Sequence, residues 1–139
     1  MIQIIPGNKG SGKTKRLIDI TNDALKVEHG IIVFIDDDKR YMYDLRHEIR
    51  FVDAGEYPAA RKCSPEAFLA FVSGMLSVNY DISLISIDAF LKIVKIEKEQ
   101  LPDFFRALDQ LSREHHCNFL ISLSMPVDDL QEDVRAYCI

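Results

Sequence analysis

The sequence predicts a three-layer α/β/α domain with a mostly parallel five-stranded sheet, and two features of its apolar pattern lead to this class. Short aliphatic runs alternate along the chain with segments whose apolar residues have helical spacing. Strands that alternate with helices form parallel sheets, which the helices cover on both faces. The run at 31–35 is also uninterrupted, as expected of a strand that is buried on both faces.

Five strands and four helical segments are expected in order. Residues 2–5 should form a buried strand, and the helical spacing that follows the next loop continues from Leu17 to Gly30, a glycine that we expect just past the helix end. Ser64 and Pro65 are typical of a helix start, because serine caps free backbone amides and proline has a preformed φ angle. The remaining expected segments are strands at 31–38, 48–54, 81–90 and 118–124, helices at 64–76 and 101–116, and a loosely helical segment at 128–139.

Length and composition predict a single domain over residues 1–139. The chain has 47% hydrophobic and 28% charged residues, which is typical of a globular protein. Its net charge of −5 argues against nucleic-acid binding, which usually requires a basic face. No apolar run approaches the roughly 18 residues of a membrane span, and the N-terminus resembles a strand rather than a signal peptide. We therefore expect a cytoplasmic protein without membrane contacts.

The stretch PGNKGSGKTK, directly after the first expected strand, contains the phosphate-binding motif known as Walker A. Its order is G-x-x-x-x-G-K-[ST], with Gly7 and Gly12 at the glycine positions and Lys13 and Thr14 at the end. A strand before the motif and helical spacing after it are the context that it requires. The motif indicates a nucleotide ligand. Because the chain lacks the guanine-reading Asn-Lys-x-Asp element of small GTPases, ATP is favoured over GTP.

Each residue type in this loop has a chemical reason. Glycines let successive backbone amides converge on phosphate oxygens, and the N-terminus of the following helix also favours an anion. The Lys13 ammonium would reach the β- and γ-phosphates, and the Thr14 hydroxyl would bind the Mg²⁺ that bridges them. The expected nucleotide-binding residues are Gly7, Asn8, Lys9, Gly10, Ser11, Gly12, Lys13 and Thr14.

Asp88 is the second residue expected to bind magnesium. It follows the aliphatic strand SLISI, where a Walker B carboxylate would hold Mg²⁺ opposite Thr14. By itself an aspartate at a strand end is equally compatible with a structural role, but the intact Walker A motif favours the metal role. Ala89 follows at the position where many P-loop ATPases have the glutamate that orients the attacking water.

With these motifs, the order of elements resembles the RecA-like core of P-loop NTPases over residues 2–124. In that family the strand after the first helix ends in Asp-x-Glu, whose Glu orients the hydrolytic water, and the last core strand ends in a polar γ-phosphate sensor. The resemblance implies that Asp38 in FIDDD orients the water and that Ser124 in LISLS is the sensor. The catalytic residues would then be Lys13, Asp38 and Ser124. Because the side chains at 38 and 124 are shorter than the family's Glu and Gln, we expect slow hydrolysis.

The resemblance also implies what surrounds the first strand. In a RecA-like sheet the sensor strand lies between the Walker A and Walker B strands, so the far edge of strand 2–5 needs a neighbour. The segment after Ser124 would cover this edge, or another subunit would, by self-association. The chain is also similar to small stand-alone bacterial P-loop proteins that are sometimes labelled twitching-motility ATPases, although none of its residues indicates a role in pili.

Three functions stay open from the sequence. The first is a weak ATPase that hydrolyses Mg-ATP slowly or with an unknown protein partner. The second is a nucleotide-binding switch or scaffold without turnover, which Ala89 and the short side chains at 38 and 124 favour. The third is a small-molecule kinase, which the lack of an arginine-rich lid segment disfavours. His115, His116 and the lysines at 92, 95 and 98 fit a helix end and a solvated helix face better than a metal or DNA site.

Overall fold

Five parallel strands form the central sheet of the computed structural model, which describes residues 1–139. The strands are β1 (Ile2–Pro6), β2 (Ile31–Asp36), β3 (Arg50–Asp53), β4 (Ile82–Ile87) and β5 (Asn118–Leu123). The helices are α1 (Lys13–Ala24), α2 (Pro65–Val78), α3 (Phe90–Ile93), α4 (Leu101–His115) and α5 (Glu132–Arg135). The strand order is β1-β5-β4-β2-β3, and every neighbouring pair is parallel. The predicted α/β fold on a five-stranded sheet is confirmed, and all of its strands rather than most are parallel.

Alternating side chains of the strands contribute to two hydrophobic clusters. Successive residues of a strand point to opposite faces, so Ile4 belongs to one cluster and Ile5 to the other. The smaller cluster packs α1 and Leu45 and Ile49 against the sheet. The larger cluster has 26 buried residues and includes the apolar sides of α2, α3 and α4. Because apolar residues cover both faces, most of the polar groups that a ligand could use lie at the strand ends.

The first helix is shorter than predicted. α1 ends at Ala24, whereas the sequence placed its end just before Gly30. Ile31 at the start of β2 donates its backbone amide to Asp81 O at 2.7 Å, which brings two chain segments close together. A Cβ atom on Gly30 would lie 2.2 Å from that same carbonyl oxygen. Close packing therefore requires this glycine, and its predicted role as a helix cap is wrong.

The predicted start of α2 is confirmed. Ser64 Oγ accepts the backbone amide of Ala67 at 3.1 Å, and Pro65 is the first residue of the helix. α4 ends at His115, and His116 follows in the left-handed conformation with a φ of 52°. The longest helix has 15 residues, and no helix is long and apolar enough to cross a lipid bilayer.

The segment after β5 covers part of the free edge of β1. Ile4 N donates to Tyr137 O, and Ile139 N donates to Ile4 O, both at 2.9 Å. These two bonds form a parallel bridge between Ile4 and Cys138. Arg16 in α1 also donates to Ile139 O, at 3.3 Å. The sequence left open whether the segment after Ser124 or another subunit covers this edge. In the structure the chain's own segment occupies this part of it.

Candidate functional site

The carboxyl ends of β1, β2, β4 and β5 meet at one edge of the sheet, where a cleft of about 890 Å³ opens. Residues of α1 form one wall of the cleft, and residues from Asp36, the last of β2, to Asp44 form the other. Parallel α/β sheets bind their ligands at this edge. The predicted catalytic and metal-binding residues all line the cleft: Lys13, Thr14, Asp38, Asp88 and Ser124.

The loop between β1 and α1 has the backbone form that its glycines predict. Gly10 and Gly12 have φ angles of 81° and 88°, in the left-handed region that other residues rarely adopt. Ser11 N donates to Asn8 O and Gly7 N to Met125 O, and these bonds shape the loop. Of the predicted nucleotide-binding residues, Lys9, Gly10, Gly12, Lys13 and Thr14 line the cleft, whereas Gly7, Asn8 and Ser11 do not.

Lys13 places a buried cation at the start of α1. Its side chain is folded back over the loop, where Nζ donates to Asn8 O at 2.8 Å. The residue is 9% exposed, and burial lowers the pKa of Lys13, an effect that the negative charge of Asp88 partly opposes. An ammonium group has three donors. Two donors of Lys13 thus stay available for an anion in the cleft.

Asp88 connects three elements at the floor of the cleft. Thr14 Oγ1 in α1 donates to the Asp88 carboxylate, 3.0 Å from Oδ2 and 3.3 Å from Oδ1. Ser122 Oγ in β5 donates to Oδ1 of the same group. Asp88 is 4% exposed, and its backbone amide donates to Ile35 O at 2.9 Å. The two residues predicted to bind Mg²⁺ are therefore in direct contact, and Ser122, which the sequence did not single out, joins them.

A buried polar pair fixes α1 against β4. Thr21 Oγ1 donates to Leu17 O and lies within hydrogen-bond distance of Ser86 Oγ, both at 2.7 Å. Both hydroxyl residues are fully buried, and an unpaired hydroxyl at such a position would be costly. The pair therefore aligns the helix that begins at the glycine loop with the strand that ends next to Asp88.

Asp36 is the second buried carboxyl group of the cleft. It ends β2 beside Asp88, because the preceding residues Ile35 and Ile87 are paired in the sheet. Asp36 is 2% exposed, its Oδ1 accepts the backbone amide of Asp37 at 2.8 Å, and its Oδ2 has no hydrogen-bond partner. Burial raises the pKa of Asp36 to about 8, and the Asp37 side chain and the charge of Asp88 add to this effect. A buried, unpaired carboxyl with a perturbed pKa is typical of functional sites.

Asp38 and Ser124, the two catalytic residues implied by the family resemblance, lie at more exposed positions in the cleft. Asp38 Oδ1 accepts the backbone amide of Arg40 at 2.9 Å, and Oδ2 accepts its guanidinium Nη2 at 3.1 Å. Ser124 lies beyond the end of β5 and is exposed. Ser122, two residues earlier, is the serine that contacts Asp88. A lone serine inside the apolar run FLISL is the signal that could have identified it.

Comparison with known proteins adds no relative: no protein-family model matches the chain, and no curated protein matches it. The fold is nevertheless compatible with an α/β nucleotide-binding protein, because a five-stranded parallel sheet with helices ends in a polar cleft at its carboxyl edge. The function is therefore inferred from the groups in that cleft.

Proposed function

We propose that this protein is a RecA-like P-loop NTPase that binds Mg-ATP in the cleft and hydrolyses it slowly. The main support is the contact of Thr14 with Asp88 next to the glycine loop, where Thr14 Oγ1 lies 3.0 Å from Asp88 Oδ2. Buried Lys13 precedes Thr14 at the start of α1. The strand order adds support, because β5 lies between β1 and β4, as the sensor strand does in RecA-like sheets.

The phosphates would bind at the glycine loop and the N-terminus of α1. The first amides of this 12-residue helix have no acceptor within the helix, so they can donate to a phosphate together with amides of the loop. The helix dipole also favours an anion there. Lys13 would turn its ammonium from Asn8 O toward the β- and γ-phosphates.

Thr14 and Asp88 fit a magnesium ion, which prefers oxygen ligands and keeps several of its waters. These two residues would hold the ion, which when bound offsets the negative charge of the phosphates. Ser122 would orient the Asp88 carboxylate, because its hydroxyl already donates to Oδ1.

A nucleotide-binding switch without turnover is the second candidate. Ala89 stands directly after Asp88, where many P-loop ATPases have a glutamate. Arg40 engages both carboxylate oxygens of Asp38. Because neither position offers a free carboxylate to orient water, hydrolysis should be slow or absent. Steady-state release of phosphate from Mg-ATP distinguishes a slow ATPase from a switch.

Calorimetric titration of the pure protein with ATP, ADP, AMP and GTP in the presence of Mg²⁺ tests the binding proposal. ATP and ADP should bind and AMP should not, because only the first two have a β-phosphate for the loop. Lys13→Ala should weaken ATP binding by about 30-fold or more, the value of one or two hydrogen bonds to a charged group. Lys26→Ala, which removes the same charge from an exposed side chain just beyond α1, is the control and should bind normally. Unchanged ATP affinity in folded Lys13→Ala protein would refute the proposal.

A further inference from the structure

The cleft extends well beyond the glycine loop. Along α1 it continues from Thr14 to Ile18 and Asn22, and opposite these residues it is bounded by Tyr41 and Asp44. Asn22 is eight residues after Thr14, which corresponds to roughly 12 Å of helix. We call this part, lined by Ile18, Asn22, Tyr41 and Asp44, the outer compartment. None of its residues belongs to a phosphate-binding or metal-binding motif.

Asp36 lines the same cleft as the glycine loop and the outer compartment. It neighbours Asp88 at the ends of two paired strands. Its Oδ2 is the one buried carboxylate oxygen of the cleft without a hydrogen-bond partner. The torsion about the Cβ–Cγ bond of Asp36 is broad, so a small rotation can turn Oδ2 toward a ligand in the cleft. A ligand hydroxyl at this point would supply the missing donor.

The far wall of the outer compartment is fixed in place. Asn22 Nδ2 donates to Asp44 O at 3.0 Å, and Asn22 Oδ1 accepts the backbone amide of Arg46 at 2.9 Å. Leu45 between them is 8% exposed and packs in the smaller hydrophobic cluster. The compartment is therefore preformed, as small-molecule sites usually are.

The charges around the outer compartment limit the ligand that it can take. Asp19 is paired with Lys15 at 2.8 Å, and Asp38 is paired with Arg40. Asp37 and Asp44 have no ion-pair partner in the chain, and both line the cleft. The lysines of the cleft without an ion pair, Lys9, Lys13 and Lys92, belong to the glycine loop, to the start of α1 and to α3 and not to the outer compartment. Unpaired carboxylates repel an anion at short distance. A neutral or positively charged ligand with hydrogen-bond donors fits this surface.

We propose that the outer compartment binds a small neutral or cationic molecule with a hydroxyl group, and that this hydroxyl receives the γ-phosphoryl group of ATP with Asp36 as proton acceptor. The inference rests on the proposed function, because ATP must occupy the glycine loop. The hydroxyl oxygen forms a bond to the γ-phosphorus, and the bond from that phosphorus to the β,γ-bridging oxygen breaks. ADP leaves, and the hydroxyl proton passes to the Asp36 carboxylate. The chain would then be a phosphotransferase whose slow ATPase activity is transfer to water.

The test measures ADP formation from Mg-ATP at pH 9, where the Asp36 carboxyl is ionised and can accept a proton. Its four probes are D-ribose, thymidine, ethanolamine and the anion 3-phosphoglycerate. At least one of the first three should raise ADP formation tenfold or more in a saturable manner, with an equal amount of phosphate ester in the ³¹P NMR spectrum. Asp36→Asn should lower this rate about 100-fold or more, the usual value of a general base. At pH 6, where the Asp36 carboxyl is uncharged as asparagine is, it should change the ATP dissociation constant less than twofold. Asp53→Asn is the matched control, because Asp53 ends the neighbouring strand in register with Asp36 and lies outside the cleft.

Each outcome of this test has a defined meaning. The acceptor proposal is overturned if none of the three probes stimulates ADP formation, if only the anion does, or if inorganic phosphate appears in place of an ester. It is also overturned if Asp36→Asn keeps the rate of the parent. Calorimetry separates this result from failure of the proposed function, since parent protein that binds ATP but ignores all three probes refutes the acceptor alone.

Discussion

Substituting asparagine for Asp36 tests the electrostatics of the cleft with almost no change in side-chain size. The pKa of Asp36 is raised from its ordinary value of 3.8 to about 8, chiefly by burial. Asparagine has no charge to bury, and its Oδ1 can still accept the backbone amide of Asp37. We therefore expect Asp36→Asn to raise the free energy of unfolding at neutral pH.

The gain should grow with pH, and the sign follows from the two pKa values. The unfolded chain releases the Asp36 proton near pH 3.8, whereas the folded chain keeps it until about pH 8. The contribution of this proton to stability is thus complete below pH 3.8 and is lost as the pH rises toward 8. Each pH unit in this window corresponds to about 1.4 kcal/mol. Between pH 5 and pH 7 the difference in unfolding free energy between Asp36→Asn and the parent should therefore grow by up to about 3 kcal/mol in favour of the variant.

Urea unfolding of the parent and of Asp36→Asn at pH 5, 6 and 7 measures this difference. The slope of the unfolding free energy against urea concentration should be the same for both proteins, since the substitution exposes no additional surface on unfolding. A stability difference that stays constant from pH 5 to pH 7 would show that Asp36 ionises alike in both states, and would refute the electrostatic argument. A gain in stability with a loss of phosphoryl transfer would be the trade-off expected of a functional group.

Three further substitutions address the rest of the site. Asp88→Asn should weaken binding of Mg-ATP at least tenfold more than binding of metal-free ATP in calorimetry, because its role depends on the cation; equal losses would argue against a metal role. Asp38→Ala should reduce phosphate release less than threefold, since Arg40 engages both of its oxygens; a tenfold loss would instead support the role that the RecA-like resemblance implies. Thr21→Val should lower the free energy of unfolding by about 1–3 kcal/mol, because it leaves the buried Ser86 hydroxyl without this partner; thermal melting that matches the parent would contradict this.

Features with a strong local signal could be predicted from the sequence. The aliphatic runs gave the strands, and Ser64 with Pro65 gave the start of α2. The bridge of Ile4 with Cys138 could not be foreseen with the same certainty, because residues so far apart in the chain leave no local pattern. Gly30 shows the same limit: a glycine near a helix end is usually a cap, and only the close approach of Asp81 O reveals its other role.

The candidate site was predictable where a motif fixed it. The glycine loop and Asp88 were identified from spacing and strand context, and the structure brings Thr14 and Asp88 together. The role of Asp38 was implied by the family resemblance, in which the strand after the first helix ends in the residue that orients the water. β2 ends at Asp36, so the alternation of side chains stops there, and Asp38 turns toward Arg40 instead. Whether a strand end lies at one aspartate or the next is set by pairing with β3 and β4, which the run of three aspartates does not reveal.

The edge position of β1 has a consequence for how the chain folds. Its only strand neighbour is β5, and Ile2 pairs there with Phe119. The strands β2, β3 and β4 can pair with one another before β5 has been synthesised. β1 is synthesised first but cannot pair in the sheet until β5 is present. Contacts between residues that are distant in the chain form slowly, because a large loop must close. The glycine loop that follows β1 is therefore among the last parts to reach its native shape. The proposed nucleotide binding would then distinguish completely folded chains from intermediates that have only the inner strands paired.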